Sequence, residues 1–243
     1  MGNERKEFVV KRNRCKKIAA ALLCMVMGCT TLGQGFSAAA ADSTTEEEAV
    51  EINFAKALQM SLYFYDANKC GSGITGGNLE WRGDCHTEDA AVPLKPMGED
   101  YKGTNLSQEF IDAHRDILDP DGDGTIDVAG GMHDAGDHVK FCLPGSYAAS
   151  TLGWGYYEFR DAYVDSGQQW HIEDILHWFN DYYLKCTYFD ENGDILAFCY
   201  QVGEGNIDHN YWNAPELQNE SLLDFARPAY FATVETPASD MCA

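Results

Sequence analysis

The sequence predicts an all-α domain, and two observations carry that prediction. Three stretches place apolar residues three or four apart, the spacing of one helix face. Between the first and the second, the chain is irregular from 70 to 145. A loop-rich segment of that length is uncommon in a compact domain unless it carries function, so the site is expected on loops displayed by helices.

The first helix is predicted over 53–68, with Phe54, Leu58, Leu62 and Tyr65 on its apolar face. The Gly-rich run 70–77 ends it. A short helix is predicted over 107–114. The second long helix is predicted over 146–163, with Ala149, Leu152, Tyr156 and Phe159 buried. The third is predicted over 170–188, with Ile172, Ile175, Leu176, Phe179, Tyr183 and Leu184 buried. Residues 190–194 (Asp-Glu-Asn-Gly-Asp) form a turn. Residues 195–202 read as a short strand or extended segment, and the remainder as loop. No repeat or linker divides 53–243, which reads as one domain.

The first 41 residues are expected to be a secretory signal peptide. Lys11, Arg12, Arg14, Lys16 and Lys17 precede an apolar stretch over 18–32, and small residues at 38–41 offer a cleavage site. The apolar stretch is shorter than the roughly 20 residues of a comfortable membrane span. Residues 42–52 are polar and acidic, a flexible lead-in. The leader holds seven of the 17 Lys/Arg and two of the 39 acids, so 10 basic and 37 acidic residues remain, a net of −27. Nucleic acid and anionic membranes are excluded as partners by like charge, whereas a neutral polysaccharide meets no such penalty. Beyond the leader, Cys70, Cys85, Cys142, Cys186, Cys199 and Cys242 remain, and in an exported chain these could pair.

The densest chemical signal is Gly130-Gly131-Met132-His133-Asp134-Ala135-Gly136-Asp137-His138. Glycines let the backbone bend close to a ligand. Two carboxylates three apart can orient one water, with one of them taking its proton. A solvated acidic turn or a metal-binding loop fits the same spacing.

Further runs fit around this loop: 57–65 (Ala-Leu-Gln-Met-Ser-Leu-Tyr-Phe-Tyr), Trp81-Arg82-Gly83-Asp84, and Asp134-Ala135-Gly136-Asp137-His138-Val139-Lys140-Phe141. Then come 200–206 (Tyr-Gln-Val-Gly-Glu-Gly-Asn), Asp208-His209 with Trp212, Arg227-Pro228, and Pro237-Ala238-Ser239-Asp240. In order and spacing these resemble the N-terminal part of the family 9 glycoside hydrolases, mostly endoglucanases. The resemblance implies an (α/α)6 barrel, here truncated to roughly its first half. It also implies inverting hydrolysis of β-1,4-glucosidic bonds in cellulose or a related β-glucan. Asp137 then matches the general base, and Asp134 its partner in holding water. His209 and Trp212 match cleft residues, and His138 is a candidate beside them. The general acid, a Glu late in the family's domain, is expected beyond residue 243, as are any accessory binding or docking modules. The other reading is a non-catalytic carbohydrate-binding or calcium-dependent surface module on the same fold.

Two metal sites are expected. The run 119–127 (Asp-Pro-Asp-Gly-Asp-Gly-Thr-Ile-Asp) resembles the start of an EF-hand-type calcium loop. Its ligands would be Asp119, Asp121, Asp123, the Thr125 carbonyl and Asp127. The bidentate Glu usual at position 12 is missing, since Gly130 stands there. Cys70, Cys85, His86 and His133 form a Cys2His2 set suited to tetrahedral Zn2+, with His133 ahead of His138 for the fourth place. Some family 9 members carry a structural zinc of this composition in this region. A Cys70–Cys85 disulfide is the competing arrangement. No organic cofactor is expected. The 243-residue chain expressed alone is expected to hydrolyse soluble cellulose poorly, and robust turnover by the purified chain would contradict this.

Overall fold

The structure, a computed structural model, describes residues 52–222 and 225–238. The expected leader 1–41, residues 42–51 of the lead-in, Ser239, Asp240 and Cys242 lie outside the described residues.

The chain opens on α1 (Phe54–Asn68), capped by Asn53, whose Oδ1 accepts the Lys56 N–H at 2.9 Å. Two short helices follow, α2 (Gln108–Ala113), capped by Ser107, and α3 (Arg115–Leu118). The second long helix, α4 (Cys142–Glu158), starts a turn earlier than its periodicity suggests, with Pro144 tolerated in the first turn. It ends at Phe159, and α5 (Arg160–Asp165) follows. The third, α6 (Gln169–Lys185), buries Ile172, Ile175 and Phe179 against Leu62 of α1. Phe54, Phe159 and Leu184, expected inside, are 75%, 61% and 67% exposed. One stripe of α4 (Tyr147, Trp154 and Tyr157) also faces solvent. Among the described residues no helix is long and apolar enough to cross a membrane.

The described residues are mainly helical, with some sheet that the all-α expectation did not include. Strand β1 (Val92–Pro93) pairs antiparallel with β2 (Thr125–Ile126). A second sheet is organised by β5 (Ile195–Val202), which pairs antiparallel with β3 (Lys140–Phe141), β4 (Thr187–Phe189) and β6 (Ala229–Thr233). Thr187 and Tyr188, expected to finish the third helix, pair within β4 instead, because Lys185 ends the helix and Phe198 and Ala197 of β5 face them. β6 falls where the sequence reads as loop. Its Ala229 and Phe231 point into the core, and both ends of the Asn105 amide bond the Phe231 backbone. The sheet carries its own core, which includes Ile111, Leu118, Val128, Val202 and Phe231.

Where loops cross between these layers, a buried ion cluster holds them. Asp89, on the 3-10 turn Thr87–Ala91, is 0% exposed. Its carboxylate takes Arg227 Nε at 2.7 Å and Nη2 at 2.9 Å, and Lys140 Nζ at 2.8 Å. Lys140 also donates to the carbonyls of Val128 at 2.6 Å and Gly130 at 3.1 Å. Burial alone would raise the Asp89 pKa, but the charges of Arg227 and Lys140 override it and hold the carboxyl well below the usual range. Removing one member leaves buried charge uncompensated, a loss of about 3–5 kcal/mol. Asp89→Asn is therefore expected to lower the free energy of urea unfolding by about that amount. Because its folded pKa is depressed, the Asp89 contribution is complete above the ordinary carboxylate pKa of about 4 and fades as pH falls further. A pH series of unfolding curves on both proteins checks this.

Candidate active site and metal-ligating cluster

The loop before β3 is closed by the Asp134 N–H, which donates to the Val139 carbonyl at 2.9 Å. Asp137 Oδ1 accepts the Val139 N–H at 3.1 Å, and Oδ2 lies 3.5 Å from His209 Nε2. Asp137 is 8% exposed, while Asp134 and His209 open to solvent. Burial of its inner side, then the charge of Asp137, raises the Asp134 pKa, with His209 acting in the opposite sense. Trp212, 74% exposed, lies against the loop apex. A Cβ added at Gly136 would come within 3.1 Å of its ring, so the glycine permits that approach.

His209 is presented by α7 (Gly205–Asp208), which Glu204 caps by accepting the Asn206 N–H at 3.1 Å. Asp208 turns inward and His209 outward. Asp208 accepts the His138 N–H at 2.7 Å, and Arg227 Nη1 donates to the His138 carbonyl at 3.1 Å. The peptide groups on both sides of His138 are thereby fixed next to Asp137. His138 itself is 4% exposed, with Nδ1 2.7 Å from Gln218 Oε1. Its ring is therefore shut off from solvent, whereas Asp134, His209 and Trp212 are exposed.

Cys70, Cys85, His86 and His133 converge, with their ligand atoms all within 4.8 Å of one another. Backbone pairing brings them there: Gly71 and Cys85 exchange two hydrogen bonds of 3.0 Å, and Cys70 N–H reaches Gly131 O at 2.9 Å. Arg82 locks the end of α1 through the Ala67 and Lys69 carbonyls and pairs with Glu216 at 2.7 Å. Cys70 Sγ is 3.7 Å from His86 Nδ1, Cys85 Sγ is 4.0 Å from His133 Nε2, and the two imidazole nitrogens are 3.3 Å apart. Bonds of ~2.0–2.1 Å to N and ~2.3 Å to S in a tetrahedron imply edges of about 3.3 Å between nitrogens and about 3.6 Å between N and S, close to these values. His86 Nε2 pairs with Gln218 Oε1 at 2.8 Å, leaving Nδ1 as the ligand atom. Burial, reinforced by the neighbouring histidines, pushes the His133 pKa well down, which favours the neutral, ligating form. His86 sits in the left-handed region at φ 48°, a local strain that the cluster retains. Cys70 and Cys85 are both free thiols and are not bridged to each other.

Asp119, Asp121 and Asp123 also come together. Asp127 does not join them, because its carboxylate accepts the Ala129 N–H at 2.9 Å and pairs with Lys185 at 3.0 Å. Thr125 donates its N–H and Oγ1 to Asp123 Oδ1, at 2.8 and 2.7 Å.

Sequence reasoning missed Asp89 and Gln218. Their partners lie 138 residues and 132 residues away, respectively. Arg227, which the sequence shows only as part of the Arg227-Pro228 run, is buried against Asp89.

Comparison with known proteins gives these residues a context. The catalytic domain of Clostridium thermocellum CelT superposes with a TM-score of 0.71 at 53% identity, covering 78% of this chain and 37% of that one. The cellulase Cel9M of C. cellulolyticum, solved in complex with cellobiose, gives 0.55 at 38% identity over 78% of this chain and 35% of its own. Endoglucanase A of Bacillus pumilus is 31% identical over 202 residues, 83% of this chain but 24% of the relative. The chain thus spans about a quarter to a third of the proteins it matches. The profile of glycosyl hydrolase family 9 matches residues 54–243, and with the Asp134/Asp137 loop inside that span, the chain belongs to glycosyl hydrolase family 9.

Proposed function

We propose that this protein hydrolyses β-1,4-glucosidic bonds of cellulose or a related β-glucan with inversion, and that the described residues supply the base side of the reaction. The observation that carries this reading is the Asp137 carboxylate. One oxygen is pinned by a backbone N–H, and the other faces His209 at a solvent-open surface beside Asp134 and Trp212. Asp137 takes a proton from water as that water attacks the anomeric carbon, and Asp134 helps hold the water. The exposed face of Trp212 offers a platform for a sugar ring, and His209 a hydrogen-bonding edge. Inversion needs a carboxylic acid roughly 6.5–9.5 Å from the base. Glu204 is committed to Asn206 and Tyr230, and Glu216 to Arg82 and Gly83; the resemblance to the family implies that the acid is a Glu late in its domain, outside the described residues. The relatives named above are endoglucanases and cellulases, and Cel9M was solved with cellobiose, which supports this substrate class.

The Tyr147, Trp154 and Tyr157 stripe supports an (α/α)6 ring in which further helices cover α4. The basic and apolar leader, with a polymeric substrate too large to enter a cell, supports export. Cys70, Cys85, His86 and His133 would hold zinc. With four protein ligands and no open position, that zinc would brace the loops rather than act on substrate.

In the intact protein, Asp137→Asn is expected to lower kcat on soluble cellulose by about a hundred- to ten-thousand-fold while glucan binding persists. NMR of early products should show the α-anomer from the wild type. Equal activity of the two proteins would refute the base assignment, and glucan binding without activity in either would favour a binding module. Metal analysis is expected to find one zinc per chain, lost in Cys85→Ser together with thermal stability. A zinc-free protein of unchanged Tm would remove the brace.

A further inference from the structure

We infer that Cys186 and Cys199 form a disulfide when the chain folds under oxidising conditions, tying the end of α6 to the central strand β5. The inference rests on the proposed export only for where the bond forms, and not on the hydrolytic reading. The ladder between β4 and β5 pairs Thr187 with Phe198. One step back along it, Cys186 meets Cys199, and the Cys199 N–H donates to the Cys186 carbonyl at 2.9 Å. Residues opposite each other in an antiparallel ladder have Cα atoms about 4.5–5.5 Å apart, inside the range of about 4.4–6.8 Å that a disulfide spans. Both side chains enter the same core, each residue is 0% exposed, and the two thiols interact directly. Closing the bond therefore asks for side-chain rotation rather than for movement of the backbone.

The surroundings favour this pair over the third thiol nearby. Cys142 Sγ is turned to the Cys199 carbonyl, 3.5 Å away. Cys199 Sγ donates to the Gln201 carbonyl at 3.5 Å, a weak bond that the disulfide replaces. Burial alone would raise the Cys186 pKa, but contact with Cys199, the charge of Lys140 and the Tyr182 hydroxyl bring it below the ordinary thiol value. Burial, with Cys186 alongside, pushes Cys199 well up. Cys186 is therefore the attacking sulfur and Cys199 the resolving one. The oxidant is an external disulfide of the glutathione class. The Cys186 thiolate attacks one of its sulfurs, forming a mixed disulfide and releasing one thiolate. Cys199 then loses its proton, attacks the Cys186 sulfur and expels the second thiolate. Two protein thiols are oxidised, one external disulfide is reduced to two thiols, and the two protons end on the leaving groups. Because both sulfurs are fully enclosed, the exchange belongs to folding, while β5 is still pairing, and the finished bond is shielded from reductants.

The bond would close the hairpin that runs from the end of α6 through β4 into β5, and such a cross-link restricts the unfolded chain. β5 also pairs with β3 through Gln201 and Val202, so the staple joins α6 to the sheet that carries Lys140. The test is refolding of the intact protein, with zinc supplied, in a buffer of reduced and oxidised glutathione. Alkylation under denaturing conditions, digestion and mass spectrometry follow. A protease that cuts after acidic residues opens the chain at Asp190, Glu191 and Asp194, so the peptides of Cys186 and Cys199 travel together only when bonded. The expected result is that linked pair, separated into two peptides by a phosphine reductant. The oxidised protein is expected to melt about 5 °C or more above its phosphine-reduced form, a difference absent from Cys186→Ala/Cys199→Ala. The mapping on the wild type decides the matter whether or not the double variant folds. Alkylation of both Cys186 and Cys199 in the refolded protein, or a bond from either to another cysteine, would overturn the inference.

Discussion

The arrangement of this domain depends on one carboxylate that never meets water. Asp89 is charged at zero exposure because Arg227 grips both its oxygens and Lys140 adds a third contact. Those two cations come from segments that otherwise share little: β3, which follows the Asp137 loop, and the stretch leading into β6. Three loops are thereby brought to a common point by charge rather than by apolar contact. Such a cluster is weak evidence for stability, since an apolar replacement of the same shape can be as stable. What it supplies here is position. Lys140 and Arg227 each spend remaining donors on backbone carbonyls, at Val128 and Gly130 and at His138, and these are the carbonyls that flank the reactive loop.

The same logic explains how a region with little regular structure keeps its shape. From 70 to 141 the described chain holds only short helices, 3-10 turns and two-residue strands. Backbone groups there are satisfied by isolated bridges (Lys69 with Met132, Gly71 with Cys85) and by side chains such as Arg82 and Glu216. Four buried ligand-type side chains at tetrahedral spacing lie where these bridges cross. Gln218 then ties His86 to His138, so the ligand cluster and the reactive loop share a hydrogen-bonded neighbour.

The parts legible in the sequence were those whose signal is local. The apolar stripes of α1 and α6 follow from spacing alone, and Asp134, Asp137, His209 and Trp212 stand in the runs that carry the family resemblance. Cys70, Cys85, His86 and His133 were legible through residue type. The sheet was not. Only 195–202 showed an extended character, and its partners β3, β4 and β6 are too short for a periodic signal and owe their form to β5. Asp89 was illegible for a stricter reason. Nothing adjacent to it in sequence distinguishes it from Glu88, and its identity is decided by Arg227 and Lys140 arriving from elsewhere. His138 shows the converse, a motif residue whose ring the fold turns inward.

Four consecutive residues point in four directions, and this determines what Asp137 can do. Asp137 faces the exposed His209, His138 the Gln218 and histidine cluster, Val139 the core, and Lys140 the Asp89 carboxylate. A slip of one position would put an imidazole where Asp137 stands and a carboxylate beside the histidine cluster. That slip is opposed at both ends, by the His138 peptide held between Asp208 and Arg227 and by Lys140. Within this register, Asp137 spends Oδ1 on the Val139 N–H, so one oxygen remains to accept a proton, and its direction is fixed by the backbone rather than by a free rotamer. The neighbouring Asp134 has its pKa raised by burial and then by the charge of Asp137. Asp137 is thus the carboxylate whose direction the backbone sets, and Asp134 the one left open to solvent.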